Sequence, residues 1–235
     1  MGSDSRRQFI SDSFLVIFLC LLVACTETDS SDYFPLREGR ILEYRQIKII
    51  RDEVHESRQI VRTLSPVMTD GKKLYRLEKQ GEIKRYFNRN EDGIFSQDQE
   101  KKTPFLYLPI SLRNEVFSDR RWQLPSQLGV VESRTFARQD RILNRTHRVV
   151  LRYSVIGQNV EVDVPAGRFR HCLKVMGIGS TLVRVDRGNG IAQVEIENTD
   201  WYAPGVGLVK TERIEKSDSP FLKTGRYTLE LLRYQ

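Results

Sequence analysis

Cysteine and histidine are scarce, three of each in 235 residues, and their placement removes whole classes of chemistry. Cys20 and Cys25 lie near the N-terminus and Cys172 stands alone beyond them. That is too few for a disulfide framework or a cysteine-based zinc site, and Cys172 reads as a small buried apolar residue. His55, His147 and His171 are far apart, without metal-ligand spacing. His171 and Cys172 are adjacent, so a strand sends them to opposite faces and they cannot act as base and nucleophile. No Gly-x-Ser-x-Gly elbow, phosphate loop or dinucleotide fingerprint is present. Long apolar runs are also missing. After residue 24 nothing approaches the roughly 20 residues of a membrane-spanning helix. The chain is therefore expected to be non-enzymatic, without cofactor or metal.

The apolar run that does exist, Phe14 to Ala24, follows Arg6 and Arg7 and has the length of a secretory signal. It ends in Leu22-Val23-Ala24-Cys25, which resembles a bacterial lipobox: cleavage between Ala24 and Cys25 leaves Cys25 to carry a diacylglycerol thioether and an N-acyl chain such as palmitate. Cys20 is a poor alternative because Leu19 precedes it, where a small residue is needed. Ser5-Arg6-Arg7-Gln8-Phe9-Ile10 resembles the twin-arginine export consensus, with an ordinary Sec signal as the alternative. Residues 25–32 are the lipidated cysteine and a polar tether that cannot bury apolar surface. Thr rather than Asp at position 26 implies, by the enterobacterial rule, sorting to the outer membrane, facing the periplasm.

The charges of residues 1–24 cancel, so the mature chain keeps the whole net charge of +7. The excess is dispersed, which argues against nucleic acid and fits weakly with phosphate-bearing lipids or other envelope polyanions. One run stands out: Arg134, Arg138, Arg141, Arg145, Arg148 and Arg152. Arg148 and Arg152 are candidate anion-binding residues; the plainer reading is a solvated face with acids opposite.

From Tyr33 onward the hydropathy pattern has period two, broken by turn residues at short intervals. Strands are expected at Arg40 to Ile50, Gln59 to Leu64, Lys72 to Lys79 and Ile83 to Asn88, with Thr69-Asp70-Gly71 and Asn90 to Gly93 as turns. Pro104, Pro109 and Pro125 interrupt the middle, where Phe105 to Leu108 and Val130 to Phe136 read as strands and Ser111 to Arg121 as a short helix. Val149, Leu151, Tyr153 and Val155 form one face of a strand that Gly157-Gln158-Asn159 is expected to turn back, setting Arg148 and Arg152 across from Glu161 and Asp163. Pro165-Ala166-Gly167 is a second turn. A break is expected at Gly177 and Gly179, and a turn at Arg187 to Gly190. Glu195 and Glu197 share a face about 7 Å apart, as solvated residues and glycosidase carboxylates both can. The prediction is an all-β fold: residues 33–235 as a single domain of roughly ten to twelve antiparallel strands in a strongly curved sheet or open barrel, or alternatively a β-sandwich.

Three segments carry a family resemblance: Tyr33-Phe34-Pro35-Leu36 with Gly39 and Tyr44, then Val164-Pro165-Ala166-Gly167-Arg168-Phe169 with Cys172 and Val175, then Tyr202-Ala203-Pro204-Gly205-Val206-Gly207 after Trp201. Their order resembles a set of bacterial exported proteins and lipoproteins of unknown function, some described as TapB-like, with VPAGxF and YAPGVG motifs. The resemblance implies an open, strongly bent antiparallel sheet of the kind used by periplasmic lipoprotein carriers, and it supplies no catalytic residues. The expected function is a non-enzymatic, lipid-anchored envelope protein holding a lipid or lipoprotein acyl chains inside a curved sheet. The alternatives are a scaffold that binds an envelope protein through a sheet edge or the arginine strip and, third, a hydrolase.

Overall fold

In a computed structural model of the chain, residues 32–97, 103–109, 121–133, 147–185 and 190–235 are described. The first half is a meander: β1 (Ile41–Ile50), β2 (Glu53–Thr69), β3 (Lys72–Lys79), β4 (Glu82–Arg89), β5 (Gly93–Gln97) and β6 (Phe105–Pro109). The second half adds β7 (Arg121–Gln127), a short β8 (Glu132–Ser133), β9 (Arg148–Val164), β10 (Gly167–Arg184), β11 (Ile191–Ala203), β12 (Gly207–Ser217), a short β13 (Leu222–Lys223) and β14 (Gly225–Tyr234). Twelve of these form one antiparallel sheet in the order β6-β5-β4-β3-β2-β1-β14-β12-β11-β10-β9-β7, while β8 and β13 pair separately. The all-β expectation holds, as one curved sheet and not a sandwich.

The first and last strands zip the two halves together. Ile41 and Gln235 exchange both backbone hydrogen bonds, at 2.9 and 3.0 Å. Right-handed twist then rolls the sheet until its edges meet, giving a nearly closed barrel. At that seam the Trp122 indole of β7 donates to the Tyr107 carbonyl of β6 at 3.0 Å. Closure covers edges that would otherwise template pairing with other chains.

Local chemistry sets the turns. Asp70-Gly71 and Gln80-Gly81 both have positive φ at the two central positions, the turn form whose twist matches a right-handed hairpin. Pro125 lies within β7 and does not break it. β7 is an edge strand, where a residue without an N–H is tolerated. The helix expected over Ser111 to Arg121 lies outside the described residues except for Arg121, which begins β7, and the expected strand Val130 to Phe136 is described only as far as Ser133. In the turn expected at Arg187 to Gly190, Gly190 is the one described residue, with φ +84°.

The largest correction concerns β9 and β10. Gly157-Gln158-Asn159 does not reverse the chain; β9 runs unbroken from Arg148 to Val164. Register shifts fall between Phe169 and Val175 on the facing strand, and Asn159 and His171 both take left-handed backbone conformations, φ 55° and 56°. Asn159 thus marks a bulged bend, where a left-handed residue is needed as in a turn, and Gly157 makes room for Val160, whose Cγ2 would stand 2.9 Å from a methyl group there. The bend folds the hairpin tip over the barrel end, where Ala166 N donates to the Leu231 carbonyl at 2.9 Å. Gly177 and Gly179 do not interrupt β10 either; they make room for side chains of β9.

The three motif segments converge at that end. Phe34 plugs the barrel between Phe87 and Tyr107, with ring centroids at 5.1 and 5.2 Å. Tyr33 Oη donates to the His171 carbonyl at 3.0 Å, and Gly205 N donates to the Asp32 carbonyl at 2.8 Å. Cys172 is fully buried beneath the hairpin, among Leu42, Val162 and Val209, and burial pushes its thiol up to about 11.

Candidate functional site: a polar-floored cleft in the barrel

Between the two halves of the sheet lies a cleft of about 470 Å³, within the usual range for small-molecule pockets. Val61, Leu77, Phe87, Leu208 and Leu229 make its apolar wall, with Tyr107, Tyr153 and Tyr227. Period two brings these together, because inward residues of neighbouring antiparallel strands stand side by side. Burial raises the pKa of all three tyrosines above the ordinary phenol value, so they serve as neutral hydrogen-bonding groups.

The floor is polar. On β11 the inward row Ala192, Val194 and Ile196 continues as Asn198 and Asp200. Asp200 accepts from Asn198 Nδ2 at 2.8 Å and from Thr211 Oγ1 at 2.7 Å, while Asn198 Nδ2 also donates to Tyr153 Oη at 3.0 Å. Burial pushes the Asp200 carboxyl up to about 6, against the opposing pull of these hydrogen bonds and of the Arg213 charge. Beside it Arg213 and Glu215 of β12 form a buried pair, Nε to Oε1 2.6 Å. This pair reaches across the barrel to the chain leaving β7. Arg213 donates to Ser126 Oγ and to the Gln127 carbonyl, and Glu215 accepts from Gly129 N and Val130 N at 2.8 and 2.9 Å.

Arg148 and Arg152, the candidate anion-binding residues, face outward and are exposed on β9. They lie opposite Gln127 and Gln123 of β7, not opposite Glu161 and Asp163. Those acids belong to the same strand, so no hairpin brings them across; they pair with Arg170 and Arg168 of β10. Arg134, Arg138, Arg141 and Arg145 lie outside the described residues, as do Ala24 and Cys25. Glu195 and Glu197 are exposed on the outer face. The histidines are not brought together: His55 is on β2, His147 precedes β9 and His171 is on β10.

No family model matches the chain, and no curated protein matches it. Among solved structures, a Parabacteroides distasonis protein described as a candidate lipoprotein superposes with a TM-score of 0.50 and 15% identity, over 86% of this chain and 98% of that one. The two share a fold. A Bacteroides fragilis protein described as a candidate exported protein with a YmcC-like fold is similar at a TM-score of 0.47 and 13% identity, over the same shares.

Proposed function

We propose that this is a lipid-anchored, non-enzymatic protein of the cell envelope, of the TapB-like kind, that holds a lipid or a lipoprotein's acyl chain in its barrel cleft. The cleft carries the proposal: an aliphatic and aromatic wall of pocket size, open to solvent, beside titratable groups already committed to structure. Asp200 and Glu215 are each held by several donors from the protein, unlike a carboxylate poised to attack or to exchange protons. The lipobox at Cys25 supplies the anchor. Asp32 lies seven positions after Cys25, a reach of about 24 Å when extended. The motif-bearing barrel end, where Asp32 meets Gly205, thus faces the membrane, with outer-membrane sorting implied by Thr26.

The test is a titration with a fluorescent fatty acid, comparing the parent chain with Leu208→Trp, which narrows the cleft. Saturable binding by the parent that the variant weakens about tenfold or more supports the reading; equal binding by both contradicts it.

A second reading is supported by the outer face of β9 and β10, where Val150, Ile178 and Leu182 are exposed beside Arg148 and Arg152. That surface suits an acidic partner protein. The sheet-edge version of the scaffold reading is disfavoured by the seam between Trp122 and Tyr107.

A further inference from the structure

The cleft is lined by charges of both signs. On one wall Lys79 of β3 and Lys84 of β4 line it beside Glu78; Glu78 is paired with Arg62 and Lys84 with Glu82, which leaves Lys79 as the cation to be answered. Lys79 makes no ion pair among the described residues. Desolvation, and then the like charges of Lys48 and Lys84, depress its ammonium pKa. The opposite side is the floor, where Asp200 lies beside Arg213. Between them Gln59 of β2 also lines the cleft; it is 7% exposed, and its Oε1 has no hydrogen-bond partner.

Two of these features are unfinished as the chain stands. A desolvated cation among other cations attracts an anion more strongly than it would in water. A buried carbonyl oxygen without a donor is destabilising until an N–H or O–H reaches it. Asp200 already accepts from Asn198 and Thr211, and an ionised carboxylate, with about four lone-pair sites, keeps room for a further donor. One molecule answers both if it carries an anion and hydrogen-bond donors, and the apolar wall at Val61, Leu77 and Leu229 takes a chain.

We propose that the cleft selects single-chain amphiphiles whose anionic head also carries N–H or O–H donors: phosphate esters of a polyol or an amino alcohol. The phosphate lies at Lys79, and the donors reach Gln59 Oε1 and Asp200. This assignment rests on the amphiphile reading above and narrows it.

The experiment is native mass spectrometry of the full chain in a neutral maltoside detergent, titrated with four lipids of one chain length. Lysophosphatidylglycerol and lysophosphatidylethanolamine have both features; lysophosphatidylcholine keeps the phosphate but has no N–H donor on its head; monoacylglycerol keeps hydroxyls without charge. The first two are expected to bind about tenfold tighter than the others. Lys79→Gln should erase the advantage over monoacylglycerol, and Gln59→Leu the advantage over lysophosphatidylcholine. Gln59 Oε1 gives up no bond in that change, so the fold tolerates it. Equal binding of all four overturns the head-group assignment and leaves the amphiphile reading standing. Binding of none overturns both. Glycerol 3-phosphate binding as tightly as the lysolipids upholds the head-group site and overturns the acyl-chain reading.

Discussion

Tyr153 lies in the notch that Gly177 leaves on the facing strand: a methyl group at position 177 would stand 2.4 Å from its ring. The ring is thereby held flat against Trp122, centroids 5.7 Å apart and 25° between planes, with its hydroxyl on Asn198 at 3.0 Å. One missing side chain thus aligns the seam tryptophan, the tyrosine and the polar floor. Gly177→Ala is expected to cost about 1–3 kcal/mol, the range of a forced overpacking. Urea unfolding measures the loss, and near-UV circular dichroism should show the Trp122–Tyr153 stack disturbed.

Glu215 is 1% exposed and receives Arg213, Gly129 N and Val130 N. Glu215→Ala leaves a buried guanidinium and two amides without their acceptor, and should destabilise by about 3–5 kcal/mol. Glu215→Gln, which keeps one acceptor oxygen, should fall between. Denaturant midpoints of the three proteins check the order.

Asp200 ties stability to pH. Its folded-state pKa of about 6 lies above the ordinary 3.8, so between these values the folded chain holds a proton that the unfolded chain releases. Stability from this group is complete below about pH 4 and is lost as pH rises through about 6. A shift of that size is worth about 3 kcal/mol. Other carboxylates add slopes of their own, so the comparison with Asp200→Asn isolates the effect. The variant should lose less stability than the parent between pH 4 and 7; parallel curves would show that Asp200 ionises freely in the barrel.

The anchor has its own test. Cys25→Ala should abolish metabolic acyl labelling and release the protein from membranes into the soluble fraction. Retained labelling would place the lipid elsewhere.

Much of the sheet was legible because its walls alternate strictly. Lys72–Lys79 is a strand with the bounds its pattern implies, and Asp70-Gly71 is a turn for the reason its residues suggest. What the pattern hides is the difference between a turn and a bulge, since Asn159 takes in a bend the left-handed conformation it would take in a hairpin loop, and Gly157 serves for close packing against Val160. The floor was hidden for another reason. On β12 polar Arg213 and Glu215 point inward while Ile214 is 41% exposed, the reverse of the usual sidedness, because a cross-barrel ion pair takes the inner positions. On β11 a signal did exist: Asn198 and Asp200 continue the parity of Ala192, Val194 and Ile196, so polar residues on a core row marked the site.

The central claim is that the cleft holds an amphiphile. Its most direct test is native mass spectrometry of residues 26–235, exported to the periplasm without the anchor and then extracted under denaturing conditions. A stoichiometric excess mass is expected, one that extracts as phospholipid or fatty acid and disappears with Leu208→Trp. A bare protein mass, or an adduct that survives filling the cleft, would contradict it.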